Sequence, residues 1–207
     1  MYKKSLYKTN LFLIFGVIAI VISLSGLLLL FSNIIKAELK YQFKKINLSN
    51  KSKEKQVLLP VKPVDNNFSV IIPKIDINAK VIPNIDPFNS KEYLDALSKG
   101  VAHAKGTSYP TEAGNTFIFA HSTTASIINV NRYNAIFFLL DKIEKEDMIY
   151  VVYKGKSYQY KVYNKVIVDP NRVDFLTQKS KRQTLTLMTC WPFGTTLKRL
   201  LVFAEKN

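Results

Sequence analysis

Cys190 is the only cysteine in this 207-residue chain, and it closes the run Thr184-Leu185-Thr186-Leu187-Met188-Thr189. That run alternates hydroxyl and apolar side chains, the period of a half-buried strand. Pro192 follows two residues later and removes a ladder donor, so backbone pairing is expected to stop at about Cys190. A lone thiol at the mouth of a strand is where a covalent catalyst would carry its nucleophile. The bland alternative is a small buried hydrophobe. A single cysteine also rules out an internal disulfide and any zinc cluster built on cysteines.

A thiol nucleophile needs a base, and the chain has only two histidines. His121 ends the apolar run Thr116-Phe117-Ile118-Phe119-Ala120, so it sits at a strand end much as Cys190 does. His103 lies in Gly100-Val101-Ala102-His103-Ala104-Lys105-Gly106, which reads as a Gly-bounded loop. Spacing favours His121 without excluding His103. Arg199 is the third candidate, one of the few arginines among 30 Lys and Arg residues, and it stands on the apolar run Leu197–Phe203. A guanidinium offers fixed, permanently charged donors to an oxyanion or a carbonyl. A strand-edge charge with its stem on apolar surface is the equal alternative.

The elements that must position these groups read as an all-β domain of about 140 residues, a barrel or sandwich of short strands. Phe68-Ser69-Val70-Ile71-Ile72 and Ala79-Lys80-Val81-Ile82 are β-branched runs broken by Pro73 and Pro83, prolines expected at an edge or a bulge. Asn89-Ser90 should cap a helix over 91–98 that Gly100 ends. Residues 135–142 suggest a turn or two of helix. Strands are expected over 147–153 and 158–168, with a tight turn at Lys154-Gly155-Lys156. A short helix over 171–176 and a last strand over 199–204 complete the reading.

Upstream, Leu11–Phe31 carries no charge. As a helix it would span about 30 Å, the thickness of a bilayer core. It is too long for a signal-peptide core of about 7–15 residues, and no small-x-small cleavage site follows, so an uncleaved signal anchor is expected. Lys3, Lys4 and Lys8 precede it, but Lys36, Lys40, Lys44 and Lys45 follow it with only Glu38 opposing, so counting charges does not settle orientation. Residues 32–66 read as a lysine-rich stalk. The division is thus 1–10 N-terminal segment, 11–31 membrane anchor, 32–66 stalk and 67–207 catalytic domain. The net charge of +15 rests on lysine rather than arginine, beside abundant Asn, Ile and Tyr, as an AT-rich coding bias would give. With no arginine cluster, zinc spacing or stacking motif, nucleic acid is not an expected partner. A polyanionic envelope or membrane surface suits the charge equally well. No acidic cluster suggests a metal, and no cofactor is expected.

Thr186-Leu187-Met188-Thr189-Cys190 resembles the TLxTC signature of sortases, the membrane-anchored cysteine transpeptidases of bacterial surfaces. The resemblance extends over about 69–205. It includes Val70-Ile71-Ile72-Pro73-Lys74-Ile75, the run Gly114–His121, and Arg199 nine residues after the cysteine. It implies a closed eight-stranded β-barrel with a few short helices, behind an N-terminal transmembrane helix. It also implies that Cys190, His121 and Arg199 converge on a groove. Cys190 would attack an LPxTG-like sorting signal of a secreted protein and His121 would handle protons. Arg199 would hold the oxyanion, assisted by the side chain or backbone of Thr189 on the groove side. The acceptor would be an amine of a peptidoglycan precursor or a pilin-like protein. By the same resemblance the N-terminus is cytoplasmic and the barrel lies outside a single-pass membrane anchor.

Departures from the family pattern are Ala120-His121 where Gly-His is commoner, and Glu146-Asp147 where Gly-Asp is common. Asp86-Pro87-Phe88 resembles the lid motif of pilus-building sortases, but it follows the first strand and reads as an ordinary Asp-Pro turn. Two other functions fit the same residues. One is a thiol hydrolase in which water outcompetes the amine. The other is a tethered barrel that binds envelope polymers through its lysines.

Overall fold

Alternation and β-branching produce strands here, and the strands close on themselves. A computed structural model describes residues 13–26, 32, 35–36, 38–43, 62–122, 136–177 and 180–207. The chain divides into two compact units, Met1–Lys55 and Gln56–Asn207. In the first, residues 13–26 and 38–43 are helical. Among the described residues no helix is long and apolar enough to cross a membrane. Residues 11–12 and 27–31 of the expected anchor lie outside the described residues.

The second unit is a closed barrel with strands in the order β1-β2-β3-β4-β7-β8-β6-β5. They are β1 (Phe68–Ile72), β2 (Ile77–Ile85), β3 (Val101–Ala104), β4 (Gly114–Phe119), β5 (Met148–Tyr153), β6 (Lys156–Val168), β7 (Gln183–Trp191) and β8 (Lys198–Lys206). Closure leaves no unpaired edge. Two short helices, α1 (Ser90–Lys99) and α2 (Asp174–Thr177), lie between strands. The pairs β2/β3 and β4/β7 are parallel, so each needs a crossover rather than a hairpin. Helix α1 supplies the first. Asn89 caps it by accepting from the Glu92 N–H, and Gly100 ends it.

Local chemistry accounts for the joints. Lys154 and Gly155 both take positive φ, 49° and 76°, the two-residue turn that joins β5 to β6. Pro83 stands within β2 where its register against β3 shifts between Ile82 and Ile85, the bulge expected of a proline there. Pro73 opens a 3-10 turn, where its missing N–H costs nothing. Glu146 takes a φ of 75°, the left-handed conformation that glycine tolerates best. That explains why glycine would suit its place. Asn66 and Asn67 accept from the main chain of Gly155 and Lys154. The Asn78 side chain accepts from the Val64 N–H and donates to the Lys62 carbonyl. The last residues of the expected stalk, 62–66, therefore lie against the barrel.

One expectation changes here. Val101–Ala104 is strand β3 rather than a loop, and all four of its residues are buried. Both faces of the strand are covered, so no polar residue alternates with apolar ones to reveal it. For residues 135–142, position 135 lies outside the described residues and Leu140–Lys142 forms a 3-10 turn.

Candidate active site

Strand β7 runs between β4 and β8, and its two faces separate core from site. Leu185 and Leu187 pair with Ala204 and Val202 of β8 and with Thr116 and Ile118 of β4, all buried toward the barrel interior. On the opposite face Met188 and Cys190 pair with Leu201 and Arg199. Phe117 and Phe119 of β4 lie on that same outer face, opposite Thr186 and Met188. The outer face is covered too, because all six residues of β4 are buried. The cover comes from the turn before α1, from α1 itself and from the β6–β7 connection, which contribute Pro87, Phe88, Leu94, Leu97, Phe175 and Leu176 to a groove over these strands.

That groove has a volume of about 390 Å³ and is bordered by His121, Thr189, Cys190 and Arg199 together. The structure thus brings all four expected site residues to one place. Cys190 is a free thiol, partly exposed, directly opposite Arg199 in the β7/β8 ladder. The ladder continues one pair further, to Trp191 opposite Lys198, so Pro192 stops the strand one residue later than expected. His121 lies just beyond β4. The Ala120 N–H donates to the Met188 carbonyl and the Phe137 N–H donates to the His121 carbonyl, at 3.1 and 3.2 Å. His121 is therefore held by main-chain bonds on both sides. Burial holds the His121 imidazole below its usual range, favouring the neutral form.

Thr189 borders the groove as expected, but its hydroxyl is engaged elsewhere. Period two turns it away from Cys190 and toward the face of Leu187, opposite Leu200. It is buried, and its hydroxyl donates to the Ala120 carbonyl at 3.0 Å. The hydroxyl therefore ties the residue before His121 to the residue before Cys190. Arg199 is held by the main chain just before it, because Nη1 donates to the carbonyls of Thr196 and Lys198 at 3.0 Å each. Both bonds use one of the three guanidinium nitrogens, and a guanidinium carries five N–H donors.

His103 is a core residue. It is 1% exposed, its Nδ1 accepts from the Asn84 N–H at 3.3 Å, and its Nε2 lies 3.2 Å from the Ser108 carbonyl. These partners fix the proton on Nε2. The ring stacks on Tyr109 with centroids 4.6 Å apart. Burial pushes its pKa down as well.

The sequence reading missed the wall of the groove. Asp86-Pro87-Phe88 is a turn, as expected: the Asn89 N–H donates to the Asp86 carbonyl and the Phe88 N–H donates to Asp86 Oδ1. Phe88 is nevertheless 73% exposed and lines the groove. An aromatic side chain beside an Asp-Pro turn was the available signal. Arg172, also on the rim, pairs with Asp174 at 2.8 Å and lies over the Phe175 ring. Among the described residues no cluster of His, Cys, Asp and Glu would hold a metal ion.

The Sortase domain family model matches residues 70–207. A curated relative, Sortase D of Bacillus subtilis, is 26% identical over 138 residues, covering 65% of this chain and 61% of the relative. The match therefore spans less than two thirds of that relative's length. Among solved structures, sortase C-1 of Actinomyces oris superposes with a TM-score of 0.57 at 27% identity, covering 70% of this chain and 75% of that one. Sortase A of Corynebacterium diphtheriae gives a TM-score of 0.57 at 25% identity, covering 68% and 60%. Three differently lettered sortases match at nearly equal identity, so similarity places the chain in the family without choosing a class.

Proposed function

Because the chain belongs to the sortase family, we propose that it is a cysteine transpeptidase whose reaction is carried by Cys190, His121 and Arg199. The observation that carries this reading is the convergence of these three side chains, from β7, the end of β4 and β8, on one groove. The substrate is a secreted protein bearing an LPxTG-like sorting signal. His121 takes the Cys190 thiol proton, and the thiolate attacks the Thr–Gly carbonyl carbon. As the tetrahedral intermediate collapses, the C–N bond breaks, a thioester forms, and His121 delivers a proton to the departing amine. An incoming amine, from a peptidoglycan precursor or a pilin-like protein, then attacks the thioester. His121 takes its proton and the thiolate leaves. Arg199 stabilises the oxyanion in both halves, and the Thr196 and Lys198 carbonyls hold it preorganised.

Membrane attachment belongs to the same reading. The uncharged run 11–31 anchors the protein with its N-terminus in the cytoplasm and residues 67–207 outside, which brings the groove to emerging secreted chains. Labelling of Cys190 in intact cells by an impermeant thiol reagent is the expected result; labelling only after lysis would refute this topology.

Incubation with LPxTG-like peptides, followed by intact-protein mass measurement, tests the chemistry. The expected result is an acyl adduct on Cys190 that an added amine converts to a ligated product, and no adduct in Cys190→Ala. Cleavage at a rate and with products unchanged by amine would make the protein a hydrolase instead. Full surface-anchoring activity in Cys190→Ala would remove the covalent mechanism.

A further inference from the structure

A second cavity, of about 670 Å³, adjoins the active-site groove and is bordered by Asp86, Lys105, Ser108, Asn115 and Ser180. Pro87, Phe88 and Leu176 line both spaces, so the two meet at these residues. The floor is continuous as well. Strand β4 enters the second cavity at Gly114 and Asn115 and the first at Phe117 and Phe119, on the face it shares with Thr184, Thr186 and Met188 of β7.

We propose that this distal cavity binds the polypeptide immediately upstream of the sorting signal, in extended conformation, so that recognition reaches beyond the signal itself. The inference rests on the transpeptidase reading above. Distance supports it. The acyl half of an LPxTG-like signal has four residues, which in extended form cover about 13 Å from the thiol. Thr184, opposite Asn115, lies six residues before Cys190 along β7, or about 20 Å. The remaining 7 Å or so accommodates two more residues, and they fall in the distal cavity. Chemistry supports it too. The near groove is walled by Phe88, Leu94, Phe117 and Phe119, which suits an apolar signal residue. The distal cavity carries a carboxylate, an ammonium and hydroxyls, which suit the polar chain that precedes a signal.

The test compares an end-capped LPxTG-like pentapeptide with peptides extended by three polar residues upstream or downstream, using the rate of thioacyl-enzyme formation. Upstream extension should raise kcat/KM at least threefold, and downstream extension should not. Lys105 is exposed and outside the proposed catalytic set. Lys105→Trp, which places an indole in the cavity, should keep pentapeptide acylation within twofold and lose the gain from upstream residues. If circular dichroism shows that variant misfolded, the wild-type length series decides alone. Equal kcat/KM for short and upstream-extended peptides overturns the proposal, as does a gain that survives in folded Lys105→Trp. Slowed capture of the acceptor amine in that variant, with the length gain intact, would assign the cavity to the acceptor and also overturn it. Failure of every peptide to acylate Cys190 would instead sink the transpeptidase reading on which the proposal stands.

Discussion

Thr189→Val tests how the site is held together, because it removes one hydroxyl and little else. That hydroxyl is buried and donates to the Ala120 carbonyl at 3.0 Å, joining the strand that carries Cys190 to the residue before His121. A buried neutral hydrogen bond contributes about 0.5–1.5 kcal/mol net, and weakening the partner carbonyl's satisfaction adds to the loss, so a destabilisation of about 1–2 kcal/mol is expected. For a domain of about 140 residues this lowers Tm by about 3–8 °C. The effect on rate separates two roles. If the hydroxyl positions the base strand, kcat/KM for a sorting peptide should fall less than about tenfold, and Thr189→Ser should restore both stability and rate. If it donated to the oxyanion, kcat should fall about 100- to 1,000-fold with Tm nearly unchanged. Thermal denaturation and steady-state kinetics on the three proteins decide the matter. A Tm within 1 °C of wild type together with a hundredfold loss of kcat would refute the positioning argument.

Phe88→Ala removes an aromatic side chain that is 73% exposed but lines the groove. Stability should stay within about 0.5 kcal/mol, while kcat/KM for the peptide falls about 5- to 30-fold, the worth of about 1–2 kcal/mol of apolar contact made only with substrate. Unchanged kcat/KM would show that the ring does not touch the signal. Gly100→Ala should destabilise by about 1–3 kcal/mol in urea titration, because a Cβ there runs into the backbone carbonyl oxygen of Lys80, which cannot swing aside. Both histidines are held below the ordinary imidazole pKa by burial, so the unfolded chain binds protons that the folded barrel refuses. Stability should therefore be fully expressed above about pH 6.5 and decline as pH falls below it toward the lowered folded values. In a Tm series from pH 7.5 to 5.5, His103→Gln should show a shallower decline than wild type. An identical slope would remove His103 from the linkage.

What the sequence revealed and concealed follows from how far each signal reaches along the chain. Leu185 and Leu187 were legible as core because period two is local. The same rule places Thr189 on their face and opposite to Cys190, so the hydroxyl beside the thiol in sequence is turned away from it in space. Strand β3 was hidden because Val101, Ala102, His103 and Ala104 are all buried, which erases alternation and made a core histidine look like a loop residue. Parallel pairing was beyond reach for a different reason. Ile118 meets Leu187, 69 residues onward, with no turn motif between them to announce the contact. Yet that pairing sets His121 beside the end of β7, with the Ala120 N–H on the Met188 carbonyl and the Thr189 hydroxyl on the Ala120 carbonyl. The Cys190–Arg199 pairing was more accessible, since β7 and β8 are antiparallel neighbours joined by a short loop and a fixed register. The groove wall was least legible. Phe88 and Leu176 come from connections packed over strands they do not adjoin in sequence, and these connections wall both cavities. On the proposed reading specificity lies in the loops and chemistry at the strand ends, so changes at Phe88 and Lys105 should alter which chains are accepted while leaving the barrel intact.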